Sequence, residues 1–180
     1  MLDAMMGRPG KVALQIMIDW HGLDATVEEL RRESDELFVE LLETRLAPMP
    51  GAGELLDAWE NAGIAKAIAT SSGPAFAGNV LTRANFIERF DFILTGEDVQ
   101  QGKPHPEVYL TAARRFDSKP DEMMVLEDSV HGCRAAVEAG AYTVAVPAER
   151  NRQQNFTGAA FLADSLHDER IYRALGLPIA

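Results

Sequence analysis

The chain has 180 residues, 47% of them hydrophobic and 25% charged, which excludes a disordered polypeptide and allows one domain, or one domain with a small appendage. A formal net charge of −11 argues against nucleic acid and anionic membranes as partners. The one cysteine, Cys133, excludes an internal disulfide and fits a reducing cytoplasm; no apolar run approaches the ~18 residues of a membrane span, and the residues after Met1 lack the apolar core of a secretory signal.

A helix is predicted over residues 10–21, where Ala13, Ile16, Met17 and Trp20 share one face, Pro9 suits a helix start and Gly22 a stop. Thr26 followed by Glu29 forms a capping-box pattern that opens a second helix running to about Thr44, with Leu30, Leu37 and Leu41 as its apolar stripe. Pro48, Pro50, Gly51 and Gly53 then break the chain. This break is the expected boundary between a helical piece, residues 1–47, and the remainder, 48–180.

Beyond it helix and strand alternate. A helix over 53–62 stops at Gly63, and an apolar strand over 64–69 ends in Thr70-Ser71-Ser72-Gly73. A helix near 74–84 leads to a strand over 90–94, and a polar loop carries Gly102-Lys103-Pro104-His105-Pro106 into a helix over 106–116. The strand 123–127 closes on Glu127-Asp128-Ser129, and Cys133, Ala136, Val137 and Gly140 mark the helix after it, which makes Cys133 a packing residue. A strand over 142–146, an edge strand near 159–162 and a helix near 166–174 complete the chain. Such alternation implies crossover connections and a mostly parallel sheet, hence an α/β fold.

Three polar clusters fall where strands end or in the loop that follows: Thr70-Ser71-Ser72, Lys103 and Glu127-Asp128. A parallel sheet gathers its carboxyl ends on one edge, the edge at which open α/β sheets bind ligands. Taken singly, the pair of acids reads equally as a turn capping a helix, Thr-Ser-Ser-Gly as a helix cap and Lys103 as a solvated loop residue. Together they suit phosphoryl transfer. Hydroxyl and backbone N–H groups hold phosphate oxygens, a lysine balances their charge, and adjacent acids, which repel when left bare, hold a hard cation such as Mg²⁺.

These residues resemble the haloacid dehalogenase superfamily, in its branch of β-phosphoglucomutase-like proteins and small sugar-phosphate phosphatases. Glu127-Asp128-Ser129-x-x-Gly132-x-x-Ala135-Ala136-x-x-Ala139-Gly140 is similar to the family's fourth motif, Gly102-Lys103-Pro104-x-Pro106 to its third and Ala69-Thr70-Ser71-Ser72 to its second. The resemblance implies a Rossmann-like three-layer core over 48–180 and part of a helical cap over 1–47. It implies that Thr70 and the N–H of Ser71 hold a phosphoryl oxygen, that Lys103 bridges the phosphoryl group and the nucleophile, and that Glu127 and Asp128 help hold Mg²⁺. Arg8 or Lys11, near Gly7-Arg8-Pro9, would meet the substrate from the cap, where family members vary widely. The implied reaction is hydrolysis of a small phosphate ester, in preference to a mutase reaction, in the cytoplasm.

The family also needs a nucleophilic aspartate in an Asp-x-Asp motif at the end of a central first strand, and no Asp-x-Asp occurs in these 180 residues. By the resemblance the chain begins inside the cap and lacks that strand. One alternative places the strand at 16–18 with Asp19 as nucleophile and His21 for the second acid, against the helical spacing of the same stretch. Two further classes compete: a phosphate-binding or interaction module without a nucleophile, and a receiver-type signalling domain. The order Thr70, Lys103, Glu127-Asp128 disfavours the latter, whose acidic pair comes first and whose lysine comes last.

Overall fold

The strand–helix repeat foreseen after residue 50 is present in the computed structural model, which describes residues 1–5, 8 and 10–178. Gly7, which the family resemblance puts near the substrate, and Pro9, expected at a helix start, lie outside the described residues. Three helices come first: α1 (Leu2–Met5), α2 (Gly10–His21) and α3 (Val27–Arg45). The capping box forms as expected, the Glu29 N–H donating to Thr26 Oγ1 at 3.2 Å and the Thr26 N–H to Glu29 Oε2 at 2.9 Å.

The apolar stripe of α3 is not buried, contrary to its pattern. Leu37 is 63% exposed and Leu41 46%, and no residue of α2 or α3 is fully buried. Periodicity makes a face fit for burial, but something must lie over it. Among the described residues α3 packs on α2 and meets Phe76 edge-on through Phe38, with ring centroids 5.5 Å apart, and the rest of the stripe meets solvent.

The α-helices and strands that follow are α4 (Ala52–Asn61), β1 (Ala67–Ala69), α5 (Pro74–Arg83), β2 (Phe92–Leu94), α6 (Glu107–Arg115), β3 (Met124–Glu127), α7 (Val130–Ala139), β4 (Tyr142–Ala145), β5 (Phe161–Leu162) and α8 (Glu169–Ala174). β1 starts three residues later than the apolar run because the end of α4 holds its first residue. Gly63 turns left-handed at φ +67°, and the Ile64 N–H bonds back to the Trp59 carbonyl at 2.9 Å.

All strand pairs are parallel, but the described strands form two sheets, β1–β2 and β3–β4–β5. They belong to one layer. Leu94 of β2 and Val125 of β3 share an apolar cluster with Val108, Tyr109 and Ala112 of α6 and Ala135 and Ala136 of α7. On the other face Leu55 of α4 packs with Val144 of β4 and with Ile171 and Tyr172 of α8. Helices therefore cover both faces, giving the three-layer α/β arrangement. Between β1 and β3 the layer is interrupted by a cavity of about 1140 Å³, lined by both strands. The two neighbours of the interruption neither close on each other nor recruit another described segment. No described helix is long and apolar enough to cross a membrane.

Candidate active site

The apolar run of β3 ends in Glu127, whose carboxylate turns inward. Ser129 takes an extended conformation and caps α7, its hydroxyl accepting from the Gly132 N–H at 3.0 Å. The same hydroxyl and the Ser129 N–H donate to Glu127 Oε2, at 3.1 and 3.2 Å. The Tyr109 hydroxyl donates to Glu127 Oε1 at 2.6 Å, and the Lys103 ammonium donates to the same oxygen. A Cβ added at Gly132 would stand 2.0 Å from the Glu127 carboxyl carbon, so the glycine is what allows the helix to pass this close to a carboxylate pinned on all sides.

Lys103 is 7% exposed. Besides Glu127, its ammonium donates to the Ala69 carbonyl at 3.0 Å and lies 5.0 Å from the Tyr109 ring centroid. It thereby joins the carboxyl end of β1 to the carboxyl end of β3. The Lys103–Pro104 peptide is cis.

The Thr70-Ser71-Ser72 segment curls at the same edge. The Thr70 N–H donates to the Leu94 carbonyl at 2.9 Å and continues the β1–β2 pairing, while the Thr70 hydroxyl accepts from the Ser72 N–H at 3.1 Å. Gly96 holds this loop from behind. Its N–H donates to the Ser72 carbonyl at 3.0 Å, and a Cβ at Gly96 would come within 2.7 Å of the Ser71 carbonyl oxygen.

Thr70, Ser71, Lys103, Glu127 and Asp128 thus line one cavity at one edge. Burial pushes the Glu127 carboxyl up, but the Lys103 charge and the bonds from Lys103, Tyr109 and Ser129 outweigh it, and the net direction is below the ordinary glutamate value. Asp128 goes the other way. It keeps solvent contact, yet the recess around it and the adjacent Glu127 charge raise its pKa. Burial, then the charges of Glu127 and Asp128, lift the Tyr109 phenol well above its usual value and push the Cys133 thiol up to about 12. Cys133, 1% exposed, is a packing residue.

The other candidates stand elsewhere. Asp19 lies on the exposed side of α2, accepting from Gln15 Nε2 at 2.8 Å. The stretch around it is helical, so the alternative of a strand ending in Asp19 does not hold, because the spacing of Ala13, Ile16 and Met17 prevails. Lys11 lines a shallow groove between α2 and the start of α3, apart from the main cavity. Arg8 is exposed and borders the main cavity.

Sequence reasoning does not single out Tyr109, Gly96 or Arg150. Arg150 lines the cavity, and its charge acts on Asp128. Tyr109 sits on the buried face of α6 and looks like a core aromatic. Its hydroxyl bonds a residue 18 positions away, which no local pattern reveals. A Tyr109→Phe variant keeps the ring over Lys103 and removes one donor to a buried charge. It is expected to lose about 1.5–3 kcal/mol of stability, measured by urea unfolding.

The profile described as haloacid dehalogenase-like hydrolase matches residues 1–146. Protein CbbY of Cereibacter sphaeroides is 36% identical over 144 residues, 77% of this chain and 62% of that protein. The phosphorylated carbohydrates phosphatase of Thermotoga maritima is 32% identical over 140 residues, 76% of this chain and 63% of that protein. The chain therefore spans less than two thirds of the length of these relatives. Among solved structures, CbbY of Rhodobacter sphaeroides in complex with phosphate superposes with a TM-score of 0.78 at 29% identity, covering 89% of this chain and 75% of that one. A variant of the same protein in complex with xylulose-(1,5)bisphosphate gives a TM-score of 0.79 at 28% identity, covering 92% and 76%. With the profile matched over most of its length and the same layers in these neighbours, the chain belongs to the haloacid dehalogenase-like hydrolases.

Proposed function

We propose that the cavity edge is the phosphate-holding part of a Mg²⁺-dependent phosphatase site for a small phosphate ester such as a sugar phosphate. The observation that carries this reading is the position of Lys103, whose buried ammonium stands between the Ala69 carbonyl, next to Thr70, and the Glu127 carboxylate, next to Asp128. That places a positive charge, a curled hydroxyl loop and an acid around one space.

Each residue has a part. The Thr70 hydroxyl and the Ser71 N–H hold phosphoryl oxygens, and Lys103 neutralises the charge that develops on them. Glu127, with both oxygens already engaged, fixes Lys103 in place. Asp128 is the acid left open to the cavity and is the protein ligand best placed for Mg²⁺. Among the described residues there is no group of three or more potential metal-binding side chains, which suits Mg²⁺, an ion that commonly takes one or two carboxylates and completes its shell with water and phosphate oxygens. Bound there, the ion supplies charge stabilisation at the phosphoryl oxygens. The raised pKa of Asp128 reflects an anion crowded by Glu127, a condition that a cation relieves.

Among the described residues the acids that line the cavity are Glu122, at the amino end of β3, and the Glu127–Asp128 pair. Neither fits the role of nucleophile: Glu122 lies at the wrong end of β3, and the pair has the tasks above. The site as it stands binds, and it turns over only when an aspartate is brought in between β1 and β3. The relatives that act on phosphorylated carbohydrates, or that hold phosphate, support the substrate class. Among the described residues neither acid position at the cavity fits a nucleophile, and the second reading is a module that binds phosphate without hydrolysis.

Calorimetry with inorganic phosphate tests the binding site. The wild-type chain is expected to bind phosphate more tightly with Mg²⁺ than without. Asp128→Asn should abolish that Mg²⁺ effect, and Thr70→Val should weaken binding by about tenfold, the equivalent of a lost hydrogen bond to a charged group. Equal binding by all three chains would refute the assignment.

A further inference from the structure

Lys103 carries the proposed site from a segment that has no regular structure of its own. Residues 100–106 are turns, bends and irregular backbone between β2 and α6. A lysine has a long flexible stem, so an ammonium at the tip of a loose loop has no fixed address. Something must hold the loop itself.

Glu107, the first residue of α6, does so. Its Oε1 accepts from the Gln100 N–H at 2.9 Å and its Oε2 from the Gln101 N–H at 2.9 Å. The Glu107 N–H donates to His105 Nδ1 at 3.3 Å, and the His105 N–H donates to the Gly102 carbonyl at 3.1 Å. One carboxylate therefore joins the two ends of the segment, with Lys103 between them. An acid in the first turn of a helix is common, because it complements the helix dipole. Here both oxygens are spent on the backbone that precedes the helix. The bonds from Gln100 and Gln101 hold the Glu107 carboxyl below the ordinary glutamate value, so the clamp stays ionised.

The helix that provides the clamp is itself fixed. Val108, Tyr109, Ala112 and Ala113 bury one face of α6 in the core. Two residues beyond Glu107, the Tyr109 hydroxyl donates to the same Glu127 oxygen as the Lys103 ammonium, and the Tyr109 ring lies 5.0 Å from that ammonium. The first turns of α6 thus hold Lys103 twice, by the backbone through Glu107 and by the ammonium through Tyr109 and Glu127.

We infer that Glu107 is a positioning residue, which fixes the backbone beneath Lys103 so that its ammonium meets a phosphoryl group already in place. The inference rests on the phosphate reading of Lys103. Without the clamp the ammonium keeps its bonds to Ala69 and Glu127, but a ligand that draws on it must also order the loop, and binding weakens by that amount. A residue that merely capped α6 would leave both the ammonium and the ligand affinity untouched.

The full chain is compared with Glu107→Ala and Glu107→Gln at pH 7. Hydrogen exchange is read at the Gln100 and Gln101 amides, the Lys103 Cε–Hε signal by NMR, and the affinity for inorganic phosphate with Mg²⁺ by calorimetry. In Glu107→Ala the two amides are expected to exchange at least about tenfold faster. The Lys103 signal should broaden and move toward that of an exposed lysine, and the phosphate Kd should rise about tenfold. Glu107→Gln should fall between, because its amide oxygen can still accept one of the two bonds. If Glu107→Ala fails to fold, Glu107→Gln carries the same three readings. Affinity and signal are read on folded chain, so a loss of stability alone moves neither. Freed amides with an unchanged Lys103 signal would overturn the inference and leave Glu107 a local cap. Amides as slow as in the wild type would overturn it too, since no clamp would then exist. Failure of the wild type to bind phosphate would sink the phosphatase reading alone, and the Lys103 signal would still decide the role of Glu107.

Discussion

Replacing Lys103 by methionine is expected to lower the unfolding free energy by about 3–5 kcal/mol at pH 7, the cost of leaving a buried charge without its partner. Against a total of about 5–15 kcal/mol for a domain, that is a loss on the scale of the whole fold. Two things are removed at once: the cation bonded to the Glu127 carboxylate, and the link between the ends of β1 and β3. The double variant Lys103→Met, Glu127→Gln should recover much of the loss, because it leaves no buried charge, its amide oxygen still accepts from Ser129, and its NH₂ can donate to the Tyr109 hydroxyl. The pH dependence has a definite sign. In the wild type the folded pKa of Glu127 is depressed, so the stability it contributes is fully present above its unfolded value of about 4.3 and is lost as pH falls through the lower folded value. In Lys103→Met, burial, the largest influence on Glu127, is opposed only by the bonds from Tyr109 and Ser129, so its folded pKa rises and the penalty fades as the pH falls. Urea unfolding of the three chains at pH 7 and at pH 4 measures this. A Lys103→Met chain as stable as wild type at pH 7 would show that the pair is not buried in solution.

Much of this arrangement is legible in the sequence, for reasons that differ by residue. The junction of β3 and α7 is local: an apolar run, two acids, a capping serine and a helical repeat follow one another without a gap, so position and role coincide. The capping box at Thr26 and Glu29 is equally local, and the helix Val27–Arg45 starts where it predicts. What escapes is what depends on distant partners. Nothing near Tyr109 says that its hydroxyl meets Glu127, and nothing near Gly96 says that the Ser71 carbonyl passes within reach of it. The stripe of Leu37 and Leu41 fails in the opposite sense, since periodicity names a face but not the element that covers it. The division of the strands into two sheets has its counterpart in the sequence, the lack of any Asp-x-Asp strand, but the sequence does not say whether the neighbours close up or stand apart.

The largest expected effect is on turnover. In the proposed site Thr70, Lys103 and Asp128 would bind a phosphoryl group and stabilise charge on it, but phosphoryl transfer to an aspartate needs that aspartate in line with the leaving oxygen. The space from which it would act lies between β1 and β3, next to the Lys103 ammonium. A strand that fills this space and ends in Asp-x-Asp would place the first acid against Lys103 and Thr70, and in the same step would pair the edges of β1 and β3 that no described strand occupies. Stability and activity should therefore rise together, since each unsatisfied buried backbone group costs roughly 1–3 kcal/mol. Removing a nucleophile lowers enzymatic rates by several orders of magnitude, and supplying one should raise them on a similar scale.

Hydrolysis of p-nitrophenyl phosphate, with and without Mg²⁺, by the 180-residue chain and by the same chain extended with a linked apolar strand ending in Asp-x-Asp tests this directly, with thermal unfolding of both as the companion reading. The expected result is no turnover by the 180-residue chain, and Mg²⁺-dependent turnover by the extended chain that exceeds it by on the order of 10³-fold or more, together with a higher melting temperature. Robust Mg²⁺-dependent turnover by the 180-residue chain, abolished by Asp19→Asn, would contradict the account and return the nucleophile to α2.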